Sequence, residues 1–178
     1  MDPHSPGEVR ISRRALTILQ ADLSRAQPLE GCVLLLGLRD GPIWRIRRIW
    51  PCRNIWEPVV ERAQRFAIDP REQLLAQRWA RERGWQVLGS AHSHPASQPV
   101  PSRIDRLLAF TPTLMLILGR ADPVRAIEPI AVATAVGVVP PRQAAWASGA
   151  EWTLAAWWLE AEAQAPGPCR PLAWRMET

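Results

Sequence analysis

Lysine is absent from this chain: all 22 of its basic side chains are arginine. Coding bias is the plain cause. One consequence is that the chain offers no lysine for conjugation. The three cysteines, Cys32, Cys52 and Cys169, are odd in number and scattered, which excludes a disulfide framework or a zinc knuckle. Cys32 sits in an apolar run and reads as a small buried residue, and a reducing cytoplasm is the simplest compartment. No apolar run approaches the roughly 20 residues of a membrane helix, and Met1–Pro6 has no apolar stretch of a secretory signal. No membrane partner is expected. Neither a His-Glu-x-x-His helix nor a Cys-x-x-Cys pair occurs, which removes two large classes of zinc enzyme. The chain is also too short for a TIM-barrel hydrolase of roughly 250 residues.

Tyrosine is absent too, beside two phenylalanines and ten tryptophans. Most of the indoles serve packing. Trp44, Trp50 and Trp56 are the candidates for flanking a substrate groove. The net charge is +5. Arginines alternate with acids between Glu72 and Arg83, as on a solvated helix face, so nucleic acid is not expected as a partner. Arg45, Arg47 and Arg48 on one strand are the candidates for a partner patch.

A chain of 178 residues is one domain with a real core. Residues 1–8 read as a disordered tail and 9–176 as the domain. Val9–Ile11 is a short strand, and Ser12 caps a helix running to about Ala26. Strand 32–38 pairs with 43–50 through an Asp-Gly turn. A short strand is expected at 65–68. Asp69 with Pro70 starts a second helix, which Gly84 ends. Strand 85–92 follows, then a helix over 102–110 with Ile104, Leu107, Leu108 and Phe110 as its apolar face. Strands are expected at 113–118, 152–159 and 171–175. Residues 120–150, rich in proline and small residues, read as an insertion. The fold class is α/β: a mixed, largely antiparallel sheet flanked by helices.

The most informative stretch is Gly-Ser-Ala-His-Ser-His-Pro at 89–95, followed by Ser-Arg-Ile-Asp at 102–105. Side chains two apart on a strand share a face, so His92 and His94 can converge on one ion. Residues three apart on a helix share a face, which turns Ser102 and Asp105 the same way. Alone, each half has a plain reading: a chance histidine pair, and a helix-capping box. Joined by a proline-bounded loop, they describe a metal site. His92, His94 and Asp105 supply three ligands and leave a fourth position open for water, the layout of a hydrolytic centre.

The His-x-His-Pro and Ser-x-x-Asp segments resemble the motif of the JAMM/MPN+ metalloproteases, bacterial branch. Pro28–Gly37 is similar to the family's glutamate-containing strand entry, with Val33 where glycine is common. Asn54 and Arg65–Pro70 are supporting features. Ala91 stands where relatives carry a bulkier residue and on this reading widens the site. The resemblance implies a cytidine-deaminase-like layering, one Zn2+ per chain, Glu30 as general base and Ser102 as donor to the oxyanion. It implies hydrolysis of a peptide or isopeptide bond at the C-terminus of a ubiquitin-like or sulfur-carrier protein with a Gly-Gly tail. An extended tail docked along a sheet edge would present that bond. The rival readings are a non-catalytic MPN-type interaction scaffold and a nucleic-acid-associated JAB-type protein.

Overall fold

The computed structural model describes residues 5–120, 152–161 and 166–178. In chain order the elements are β1 (Glu8–Ser12), α1 (Arg13–Arg25), β2 (Cys32–Asp40), β3 (Ile43–Cys52), a 3-10 helix (Val59–Ala63), α2 (Pro70–Arg81), β4 (Gln86–His94), α3 (Arg103–Leu108), β5 (Thr113–Arg120), β6 (Trp152–Leu159) and β7 (Cys169–Glu177). Short-range chemistry fixes most of the starts. Ser12 accepts from the Ala15 amide at the head of α1, and Asp69 accepts from the Arg71 amide at the head of α2, with Pro70 in its first turn. The β2–β3 hairpin turns at Gly41, whose φ of +55° suits glycine.

The strands order as β1-β3-β2-β4-β5-β6-β7 and close into a ring. Closure is the work of β1, which pairs in parallel with β3 on one side and β7 on the other. The sheet is mixed and mostly antiparallel, as expected, but it closes on itself where a sheet flanked by helices was expected. β1 is only five residues long, but its alternation buries Val9 and Ile11 and so joins two strands that would otherwise be edges. Four pairings are antiparallel and three are parallel. Each described strand has a neighbour on both sides over part of its length, while residues 48–52 of β3 pair with β2 alone.

The two sides of the sheet carry different cores. On the inner side, α1 presses Ala15, Leu16, Leu19 and Leu23 against Val9, Val33, Leu35, Ile46, Ala91 and Leu116. Burying each large aliphatic there contributes roughly 1.5–3 kcal/mol. On the outer side, α2 lies over β2 and β4 through Ala76 and Ala80, which meet Leu34 and Leu36. Small alanines let this helix lie close to the strands. Leu74 and Leu75 face solvent instead.

Several expectations change. The strand at 65–68 is a single bridge, Asn54 to Ile68, because Asn54 and the local backbone hold this segment as a loop. The third helix ends at Leu108, and Leu108 and Phe110 are 54% and 88% exposed rather than a buried face. The tail is tied down from residue 5: Gly7 N–H donates to the Pro42 carbonyl at 2.8 Å, and Arg170 donates to Ser5 Oγ at 3.0 Å. Residues 1–4, the expected insertion beyond Arg120 and residues 162–165 lie outside the described residues. In the arginine patch, Arg45 pairs with Asp40 and Glu177 and Arg47 pairs with Glu177, while Arg48 stands over the Trp79 ring with its charge uncompensated by these two carboxylates.

Candidate metal centre

Strand alternation places the histidines. In β4, Ala91 belongs to the inner core, while His92 and His94 point outward. Ala91 therefore fills the barrel and does not widen the site, a correction to the expectation above. His92 is fully buried, and His94 and Asp105 are nearly so. The two Nε2 atoms lie 2.9 Å apart. Asp105 Oδ1 is 3.5 Å from His92 Nε2, and Oδ2 is 3.4 Å from His94 Nε2.

This donor set fits a cation. Ligands about 2.0–2.2 Å from a tetrahedral zinc stand about 3.3–3.6 Å from one another; both Asp105–histidine separations fall in that range, and the Nε2 pair at 2.9 Å is closer and would have to part slightly around an ion. His94 Nδ1 donates to the Gln98 carbonyl at 2.9 Å, which leaves the Nε2 lone pair turned toward the centre. His92 stacks on Phe66, with ring centroids 4.4 Å apart. Its Nδ1 is buried without a hydrogen-bond partner. Two Nε2 atoms facing each other across a carboxylate call for positive charge between them. The same pull shows in the titration directions. Burial works against ionising Asp105, but its bonds and charge contacts with His92, His94 and Ser102 hold the carboxyl well below its usual range. Burial also works against a charged His94, yet Asp105 and the Gln98 carbonyl leave it raised. For His92, burial wins and its pKa is lowered.

Ser102 and Asp105 form the anticipated capping box as well. The Asp105 amide donates to Ser102 Oγ at 3.1 Å, and the Ser102 amide donates to Asp105 Oδ2 at 2.6 Å. The plain and the functional readings therefore coexist: the cap aims the carboxylate at the histidines, and the exposed Ser102 keeps its hydroxyl proton free.

Glu30 reaches the same centre from the start of β2. It is 4% exposed, and its Oε2 has no hydrogen-bond partner. Burial pushes its carboxyl up to about 7, with His94 lowering it and Asp105 raising it. Its backbone is clamped on every side. The Glu30 amide donates to the Arg62 carbonyl at 2.7 Å. Asn54 Nδ2 donates to the Glu30 carbonyl at 3.0 Å and to the Arg65 carbonyl at 2.8 Å. Asn54 Oδ1 in turn accepts from the Trp56 and Ala67 amides. Next door, Ser93 Oγ accepts from the Gly31 amide at 2.8 Å, so the residue between the two histidines fixes the residue after the glutamate. Gly31 is required there: a Cβ would come within 2.9 Å of the Ala26 Cβ.

The roles of Gln98, a backbone acceptor, and of Phe66, a stacked ring within the Arg65–Pro70 segment, were not legible from residue patterns. Among the candidate indoles, Trp44 is buried against Trp158, and Trp50 bonds to Glu72. Trp56 lines a groove of about 440 Å³ whose other lining residues include Gln73 and Gln77 of α2, Ile104 and Leu108 of α3, and Asp105.

A family model described as prokaryotic homologs of the JAB domain matches residues 12–139. The chain belongs to this family. Among solved structures, this JAB domain is similar to a Desulfitobacterium hafniense protein, with 26% identity and a TM-score of 0.68, covering 95% of this chain and 92% of that one. A Salinibacter ruber protein, at 23% identity and a TM-score of 0.56, covers 93% of this chain and 91% of its own and shares the fold. Comparison with curated proteins finds no match. Among the described residues, no helix of the JAB domain is long and apolar enough to cross a membrane.

Proposed function

We propose that this JAB domain is a zinc-dependent peptidase or isopeptidase acting near the C-terminus of a ubiquitin-like or sulfur-carrier protein with a Gly-Gly tail. The observation that carries the proposal is the convergence of His92, His94 and Asp105 beside a buried carboxyl, Glu30, that has no structural partner. His92 Nε2, His94 Nε2 and a carboxylate oxygen of Asp105 would hold the ion. A zinc ion so held brings the pKa of its water down to about 7 and polarises a carbonyl.

The chain's own groups account for the remaining work. Glu30 Oε2 takes a proton from the attacking water and returns it to the leaving amine. Ser102 Oγ–H donates a hydrogen bond to the oxygen of the tetrahedral species. Asn54, Ser93 and Gln98 touch no reacting atom and hold Glu30 and His94 in place. A pure interaction scaffold would leave Glu30 buried without a task.

The test is incubation with ubiquitin-like proteins carrying C-terminal extensions, read by intact mass. Cleavage after the Gly-Gly tail, abolished by chelator and restored by zinc, is expected. Intact substrates throughout, from a zinc-loaded protein, would refute the proposal.

A further inference from the structure

The loop Pro95–Pro101 joins His94, at the end of β4, to the cap of α3, which carries Asp105, and none of its residues lies in a helix or strand. The separation of these two groups therefore depends on how firmly the loop is held. Within it, the Val100 amide donates to the Gln98 carbonyl at 2.8 Å. That is the same oxygen that accepts from His94 Nδ1. Further holds come from β5 and β6. The Arg120 amide donates to the Ser97 carbonyl at 2.8 Å, and Arg120 Nε donates to the Pro95 carbonyl at 2.9 Å. Trp157 Nε1 donates to the Pro99 carbonyl at 2.8 Å. Gly119 lets the loop lie directly on β5: a Cβ there would come within 2.5 Å of the Pro99 nitrogen and 2.7 Å of the Gln98 carbonyl carbon. The Trp157 ring and Ala109, the residue after α3, pack on the same cluster of Met115, Ile117 and Leu159. One indole thus serves both the loop and the apolar seat beneath the end of α3.

We infer that Gly119, Arg120 and Trp157 are positioning residues for the metal centre: by holding the 95–101 loop they keep the Gln98 carbonyl on His94 and set the separation of His94 from Asp105. This rests on the proposed reading of the site as a metal centre. The hydrogen bonds of Arg120 and Trp157 go to loop carbonyls and not to the ligands, so they act through the loop. An imidazole can present either ring nitrogen to an ion, and a fixed acceptor at Nδ1 leaves Nε2 as the donor atom. The Gln98 carbonyl is such an acceptor only while it stays in place, and its neighbours Ser97 and Pro99 are the residues clamped from β5 and β6. A loose loop would also let α3, only six residues long, carry Asp105 away from its 3.4 Å approach to His94. Groups already held at the separation an ion needs lose little freedom when it binds.

Zinc affinity, measured on metal-free protein by competition with a chromophoric chelator, reads the ligand geometry without any turnover. Trp157→Phe keeps an aromatic ring in the apolar seat and removes the N–H, and it should weaken zinc binding about 10–100-fold. Arg120→Met should weaken it by a similar factor, and Gly119→Ala by at least as much. The control is Trp158→Phe, the same exchange one residue along the strand. Trp158 belongs to the inner core, and its indole N–H has no hydrogen-bond partner among the described residues, so zinc affinity should stay at the parent value. A second readout needs no metal. In heteronuclear NMR spectra of metal-free protein, the His94 Nδ1–H held on the Gln98 carbonyl should exchange slowly with water. That signal should broaden or vanish in Trp157→Phe and persist in Trp158→Phe. Parent-like zinc affinity or parent-like His94 exchange in Trp157→Phe overturns the inference. An equal loss in Trp158→Phe also overturns it, because the effect would then be one of core packing. If the parent chain binds no zinc, the metal reading fails and the His94 signal alone decides the positioning role. Misfolding of Gly119→Ala or Arg120→Met leaves the decision to Trp157→Phe, whose ring fills the same seat.

Discussion

The two faces of the β2–β4 pair differ more than any other two regions of this molecule. Inward, Val33, Leu35 and Ala91 pack against α1 in an apolar core. Outward and one residue away, the same strands present His92 and His94, with Glu30 leading into β2. A one-residue slip would exchange the two sets. The barrel thus acts as a rigid ruler: closure fixes the register, and the register brings the polar groups to one point. The outer face carries the cost. It buries Glu30 Oε2 and His92 Nδ1 without partners, the sort of expense a fold retains at a working site.

Glu30→Gln should break the comparison most sharply. On the proposed reading, it lowers turnover by about 10²–10⁴-fold while zinc still binds. It should also change how stability depends on pH in metal-free protein. The folded state holds this proton up to about pH 7, whereas the ordinary value for the carboxyl is 4.5. The folded state therefore binds more protons between those values, and Glu30 makes stability fall as pH rises through that window. Denaturant melts at pH 5 and pH 7.5 should show a smaller difference for Glu30→Gln than for the parent chain. An equal difference would mean that Glu30 titrates normally.

The inner face should respond in the opposite manner. Leu35→Ala should cost about 2–5 kcal/mol in denaturant unfolding and leave zinc stoichiometry unchanged. Loss of zinc from a still-folded Leu35→Ala protein would show that the two faces are not separable. Ser102→Ala sharpens the contrast within the outer face. It should slow cleavage by about 10²–10³-fold and cost only about 1 kcal/mol of stability through the lost cap. A rate loss of less than about tenfold would leave Ser102 as a cap alone.

Much of this was legible locally. The hairpin at Gly41, the caps Ser12 and Asp69, and the strand ending at His94 all announce themselves through neighbours a few residues apart. The convergence of His92, His94 and Asp105 was legible for the same reason, since the three sit close in sequence. What escaped was long-range or negative. Barrel closure depends on β1 meeting β7 from the far end of the chain, and five residues of β1 carry no mark of it. The buried stripe of α2 is alanine, while its leucines face out, so hydrophobic pattern misleads there. Glu30 could be singled out only by resemblance, because its environment is assembled from Arg62, Asn54 and Ser93, each distant in sequence.

The central claim is that two imidazoles and one carboxylate hold a single divalent ion. Isothermal titration of metal-free protein with zinc, beside His92→Ala, His94→Ala and Asp105→Asn, addresses it most directly. One equivalent should bind to the parent chain, with affinity at least about 100-fold weaker in each variant. An absence of zinc binding by the folded parent chain, or equal binding by all four proteins, would contradict the account.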